Sequence, residues 1–210
     1  MINSIRLIPL VELPTLKDEQ SMIHPAGTSL TNTSEWNEFQ KRELAKNYTN
    51  NISPVVSGVY QYRLLELSDN NLTELINLHI SDFTIEECCS LFGGYGLEIN
   101  GEIVLFPQCC SLLEEIKDWK KILSDDFNSF YLMECHPSPK FKKDGESIVI
   151  ECLDEGESFF PPTQERIIVN HELLKQAIKV VIDELTSLSN KIDNIFQNEL
   201  YSKKLIWGGY

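Results

Sequence analysis

The chain has 210 residues, 42% of them hydrophobic and 24% charged, a composition that suits a globular domain able to bury a core without a disulfide framework. Its 18 Lys plus Arg stand against 32 Asp plus Glu, a formal charge of -14 that disfavours nucleic acid as a partner, because phosphate contacts need clustered cations. No apolar window approaches the roughly 18 residues of a membrane span, and the opening MINSIRLIPL, interrupted by Pro9, lacks the long apolar run of a secretory signal.

These features lead us to expect a cytoplasmic protein that meets no membrane, needs no cofactor and keeps its six cysteines reduced, as small packing residues.

In chain order, residues 4–10 suit a short strand, and residues 11–34, with prolines and no sustained period, suit an irregular surface arm. Thr33 or Ser34 is placed to cap a helix to about Tyr48, with Trp36, Phe39, Leu44 and Tyr48 as its apolar positions. The alternation from Val55 to Leu67 predicts a strand. Asp69 or Asn70 then caps a short helix whose Leu72, Leu75, Ile76 and His79 share a face.

Tyr95–Ile99 and Glu102–Phe106 flank Asn100-Gly101, the dipeptide that best tolerates positive φ in a two-residue hairpin turn. Pro107 cannot donate to a ladder and ends the second strand, and Ser111 with Glu114 reads as the capping box of a helix to about Leu123. Cys109 and Cys110 therefore fall in a strand-to-helix elbow. A second hairpin is expected from Phe127–Cys135 and Glu146–Leu153, joined through Pro137, Pro139 and Asp144-Gly145. Asn170 caps a long helix in which Leu173, Leu174, Ala177, Ile178, Val181, Leu185, Leu188, Ile192 and Ile195 keep helical spacing. The fold class that follows is α+β: a single domain over residues 1–210, with an antiparallel sheet built from hairpins and helices packed on one face.

The thiols are the sharpest chemical feature. Cys88, Cys89, Cys109, Cys110, Cys135, Cys152 and His136 offer enough soft ligands for a metal ion. Adjacent cysteines, however, point to opposite faces on a strand and diverge by about 100° on a helix, so the first reading is no metal site and no catalytic residue. The alternative is a thiol- or zinc-dependent enzyme using the Cys109-Cys110 elbow, with Cys109, Cys110, Cys135 and His136 as candidate ligands. A cysteine nucleophile at the elbow with His79, His136 or His171 as base belongs to the same alternative. Cys135 and Cys152 would face one another if the second hairpin's register centred near residues 143 and 144. Gly93-Gly94 leads into a hairpin and lacks an adjacent Lys-Ser or Lys-Thr, which favours close backbone packing over a phosphate loop.

The other candidate is a recognition surface. Glu151, Asp154, Glu155 and Glu157 form an acidic run followed by Phe159 and Phe160, charge combined with aromatic anchors, and a basic protein is the partner such a surface would steer in. The segments 92–123 and 127–188, with Gly93-Gly94 before a strand pair, a Pro-bounded elbow and helix, another strand pair and a long helix, resemble the SUKH superfamily of bacterial toxin-immunity proteins. The resemblance implies a non-enzymatic immunity protein that covers the active site of a basic toxin.

Overall fold

The computed structural model describes residues 4–15, 24–49, 52–81, 83–133, 135–153 and 156–209. It is an α+β protein with antiparallel sheets, and its residues gather into two compact units, 1–10 with 89–210 and 11–88. Among the described residues no helix is long and apolar enough to cross a membrane.

The first strand, β1 (Ile5–Val11), lies in the larger unit but for its last residue. In the smaller unit, residues 24–32 belong to the expected arm, but their turns fasten onto the next helix: the Trp36 indole donates to Gly27 O at 3.2 Å and the His24 ring lies 5.1 Å from that of Phe39. That helix, α1 (Thr33–Leu44), starts one residue past Asn32 and stops before Tyr48, which is buried beyond it with its hydroxyl on Pro14 O at 2.8 Å. The strand expected over 55–67 shrinks to β2 (Tyr62–Arg63). Gly58, at φ 84°, folds Val56 back onto Val59 in a tight turn, and Leu64–Glu66 coil into a 3-10 turn, so only Tyr62–Arg63 of the expected run stays extended. The cap of α2 (Asp69–His79) is Ser68, whose Oγ accepts from Asn71 N at 3.3 Å, and Leu72, Leu75 and Ile76 are buried as the spacing required.

The rest of the larger unit holds two hairpins, each in its own sheet. In the first, β3 (Gly93–Ile99) and β4 (Glu102–Leu105) turn on Asn100 at φ 53° and Gly101 at φ 88°, the left-handed pair expected of this dipeptide. β1, β3 and β4 lie side by side in that order. Gly96 allows the close fit, since a Cβ there would stand 3.0 Å from Leu10 and 3.3 Å from Ile103.

The helix after the elbow is short: α3 (Ile116–Trp119) sits between 3-10 turns at Leu113–Glu115 and Lys120–Leu123. Its capping acid is Glu115, not Glu114, because Glu115 is the one turned inward to accept from Leu112 N at 3.3 Å, whereas Glu114 pairs with Lys117.

The second sheet is β5 (Ser129–Tyr131), β6 (Lys140–Asp144), β7 (Ser147–Glu151) and β8 (Arg166–Asn170), antiparallel in that order. The expected connection through Asp144-Gly145 is there, but its first half is itself a strand. The tight hairpin is thus β6–β7, in the register Asp144↔Ser147 and Lys140↔Glu151. That register sets Cys152 beyond Glu151 and outside any ladder pairing with Cys135, so the two thiols do not face one another as the assumed centre required. One face buries Phe141, Ile148, Ile150, Ile167 and Val169. The Trp119 ring packs edge-on against Phe141 at 4.9 Å, and α4 (His171–Phe196) follows directly from β8. Asn170 caps α4 as expected, its side chain accepting from Leu173 N at 3.0 Å. Gln197, at φ 53°, ends α4, and α5 (Leu200–Leu205) returns to pin Ser202 Oγ on Asp193 at 2.8 Å.

A candidate thiol and imidazole metal centre

Cys109 and Cys110 occupy the two corners of a β-turn. Ser111 N donates to Gln108 O at 3.2 Å while Ser111 Oγ accepts from Gln108 N at 3.2 Å, which closes the turn from both sides. Cys110 takes φ 66°, the left-handed conformation that the second corner of a type II turn requires. This conformation overturns the argument that neighbouring cysteines diverge. That argument holds for strands and helices, but here a left-handed corner follows an ordinary one, and the two Sγ atoms come to 3.5 Å on the solvent side. Both residues are exposed, as is Cys89, whereas Cys88, Cys135 and Cys152 are buried. The expectation of packing thiols thus holds for three of the six cysteines and fails for the other three, the elbow pair because corner side chains of a turn project outward.

Three neighbours build the elbow. Beneath it runs β3 at Gly94, where a Cβ would stand 3.1 Å from Pro107 and 3.2 Å from both Ser111 and the Glu115 carboxylate. Of the glycine pair noted in the sequence, Gly94 therefore serves close packing. Gln108, buried next to Cys109, acts as a clamp: its Oε1 accepts from Phe160 N at 2.8 Å and its Nε2 donates to Phe160 O at 3.1 Å and Phe106 O at 2.8 Å. On the third side the loop between β5 and β6 comes in antiparallel, with His136 N donating to Cys109 O at 3.1 Å.

That backbone bridge puts the His136 ring over the elbow. Nε2 lies 3.5 Å from Cys110 Sγ, and Cys109, Cys110 and His136 each present a ligand atom within 4.8 Å of the others. Nδ1 meets Glu157 Oε2 at 2.8 Å. A carboxylate only accepts, so Nδ1 carries a proton toward Glu157, and Nε2 is the ring nitrogen turned toward the thiols. The hydrogen bond to Glu157, with a smaller contribution from Cys110, holds the imidazole pKa above its ordinary value.

Cys135, the fourth suggested ligand, is not part of this group. It is buried, with Sγ directed at Leu132 O (3.4 Å) and Pro137 O (3.7 Å), and burial followed by the Glu115 charge pushes its thiol up to about 12. His171, another suggested base, is buried with Nε2 on Ile122 O at 3.1 Å, and His79 closes α2 in the other unit.

The recognition candidates differ in their surroundings. Glu151 lies in a cross-strand row between Lys140 and Arg166, with Lys140 Nζ 3.9 Å from its carboxylate. Glu157 is engaged by His136. Asp154 and Glu155 lie outside the described residues. Phe159 is buried and cannot serve as an exposed anchor, because the Gln108 clamp draws this segment onto the elbow; Phe160 keeps 40% of its surface exposed.

Two participants were not legible as such. Glu157 was visible only as one of several acids, and Gln108 carried no signal beyond its place between Pro107 and Cys109. Comparison with protein-family models, with curated proteins and with solved structures returns no match.

Proposed function

We propose that this protein binds a thiophilic divalent cation of the zinc class through Cys109, Cys110 and His136, with a fourth coordination position open to solvent or to an incoming ligand. One observation carries the reading. In a tetrahedral zinc site with Zn–S of ~2.3 Å and Zn–N of ~2.05 Å, the S···S edge is ~3.8 Å and the S···N edge ~3.6 Å. Two of the three edges match closely, 3.5 Å between the sulfurs and 3.5 Å from Cys110 Sγ to His136 Nε2, and the ligand atoms of Cys109 and His136 lie within 4.8 Å, so the Cys109 side chain makes any remaining adjustment to receive the ion. Glu157 supports it as the carboxylate that fixes the tautomer of a ligating histidine and raises its basicity. Three protein ligands with an open fourth position are also the coordination of zinc sites that activate water, which keeps the enzyme alternative within this reading.

The test is metal analysis of the full chain purified without chelator. One equivalent of zinc is expected, and cobalt substitution should give a thiolate-to-metal absorption band that Cys110→Ser diminishes and His136→Ala shifts. Glu157→Gln should weaken affinity by about tenfold to a hundredfold while leaving the stoichiometry at one. Sub-stoichiometric metal that is indifferent to Cys110→Ser would overturn the reading.

A second reading, an acidic protein-binding protein of the immunity type, is favoured by Phe160. This residue is an exposed aromatic whose backbone is held on both sides by Gln108, and it stands on a chain of charge -14.

A further inference from the structure

We infer that the two thiols of this centre also form a reversible vicinal disulfide, so that the oxidation state of Cys109 and Cys110 governs whether the site can hold its ion. The inference rests on the metal reading, since it concerns the same sulfurs. Their 3.5 Å separation exceeds a covalent S–S bond of about 2.05 Å by about 1.5 Å, a distance that rotation of the two exposed side chains can supply. The product is a strained bridge. Consecutive Cα atoms are ~3.8 Å apart, less than the 4.4–6.8 Å that disulfides usually span, roughly, so the bond closes under tension and is easily reduced. Strained, exposed disulfides are the labile and regulatory ones, in contrast to structural bridges.

The oxidant is a small-molecule disulfide such as oxidised glutathione. The thiolate of one elbow cysteine attacks a sulfur of that disulfide, whose S–S bond breaks; one small thiolate leaves and a mixed disulfide remains on the protein. The thiolate of the neighbouring cysteine attacks the protein sulfur of that mixed disulfide and expels the second small thiolate. Two protein thiols are oxidised by two electrons, one small disulfide is reduced to two thiols, and the two protons lost from the cysteines pass to the leaving thiolates. Cys135 does not intercept the intermediate, because it is buried with its thiol turned to Leu132 O and Pro137 O. Once bridged, the sulfurs no longer provide two thiolate ligands, and His136 alone cannot retain the ion. Bound metal, conversely, shields both sulfurs.

The experiment uses the full chain, stripped with chelator and equilibrated against graded ratios of oxidised to reduced glutathione, followed by alkylation and peptide mass analysis, with zinc binding measured in parallel. The expected result is a peptide containing Cys109 and Cys110 that is lighter by two hydrogens. Zinc binding should be lost in proportion to this species and restored by dithiothreitol. At free zinc ten times the dissociation constant, oxidation should be about tenfold slower, because only about one molecule in eleven is metal-free. Cys109→Ser should instead accumulate the glutathione adduct at Cys110. An elbow that stays dithiol or stops at the mixed disulfide in the unaltered chain, or a bridged form that keeps its zinc, overturns the inference while leaving the metal reading intact. A reduced chain that binds no zinc sinks the metal reading and the gating together, even where the bridge itself is seen.

Discussion

A buried carboxylate illustrates how single residues in this protein tie charge to stability. Glu43 lies in the core side of α1, and the Lys46 ammonium at 2.6 Å, helped by Arg42 at 3.3 Å, holds its pKa below the ordinary 4.5 despite the opposing effect of burial. A folded-state pKa depressed in this way contributes stability that is fully present above the unfolded value and is lost as pH falls through the folded one. Glu43→Gln should therefore lower stability near neutral pH and flatten the acid limb of a urea-unfolding series run between about pH 3 and pH 6. An acid limb as steep as that of the unaltered chain would show that this pair contributes nothing. At the candidate centre, residue types were legible and geometry was not. Cys109, Cys110 and His136 could be named, but that adjacent thiols would turn the same way depends on one left-handed φ, and that His136 would reach them depends on a backbone bridge from Cys109 to His136, far apart in the chain.

Elements reveal where local chemistry suffices. Asn100-Gly101 and the Asn170 cap were readable because each is decided within about four residues by φ preference or a side-chain acceptor. β8 and α5 were missed because Arg166–Asn170 is a strand through its pairing with β7 and Leu200–Leu205 a helix through its seat beside Asp193, and neither partner is local. The Val55–Leu67 alternation failed for the converse reason, a strand pattern folded back by Gly58. β3 is the element on which the elbow rests. Gly94 combines φ 132° with contacts of 3.1–3.2 Å to a hypothetical Cβ, so Gly94→Ala should cost about 1–3 kcal/mol through backbone strain and crowding. It should also lower zinc affinity by displacing Pro107 and Ser111, whereas Gly101→Ala, at φ 88° with open space around it, should cost stability and leave the centre alone. Equal effects of the two on zinc binding would show that the elbow does not depend on Gly94.

For the molecule as a whole, net charge and anchor separate kinetically. If a basic partner is steered by the charge of -14, its association should slow as salt rises, because exposed charges are screened beyond about 8 Å at physiological ionic strength. Phe160→Ala should mainly speed dissociation, since desolvated aromatics govern residence time. Both are read from surface-based binding kinetics with a captured partner, and salt-independent association would leave the acidity as a matter of solubility. The bridge from the elbow to His136 has one more consequence. Cys110 and His136 stand 26 positions apart, and the segment between them carries α3 and β5. An ion gripping both ends would be held by the folded chain and released on unfolding, so its binding would add to the folding free energy and metal availability would set the heat tolerance of the helix and edge strand it encloses.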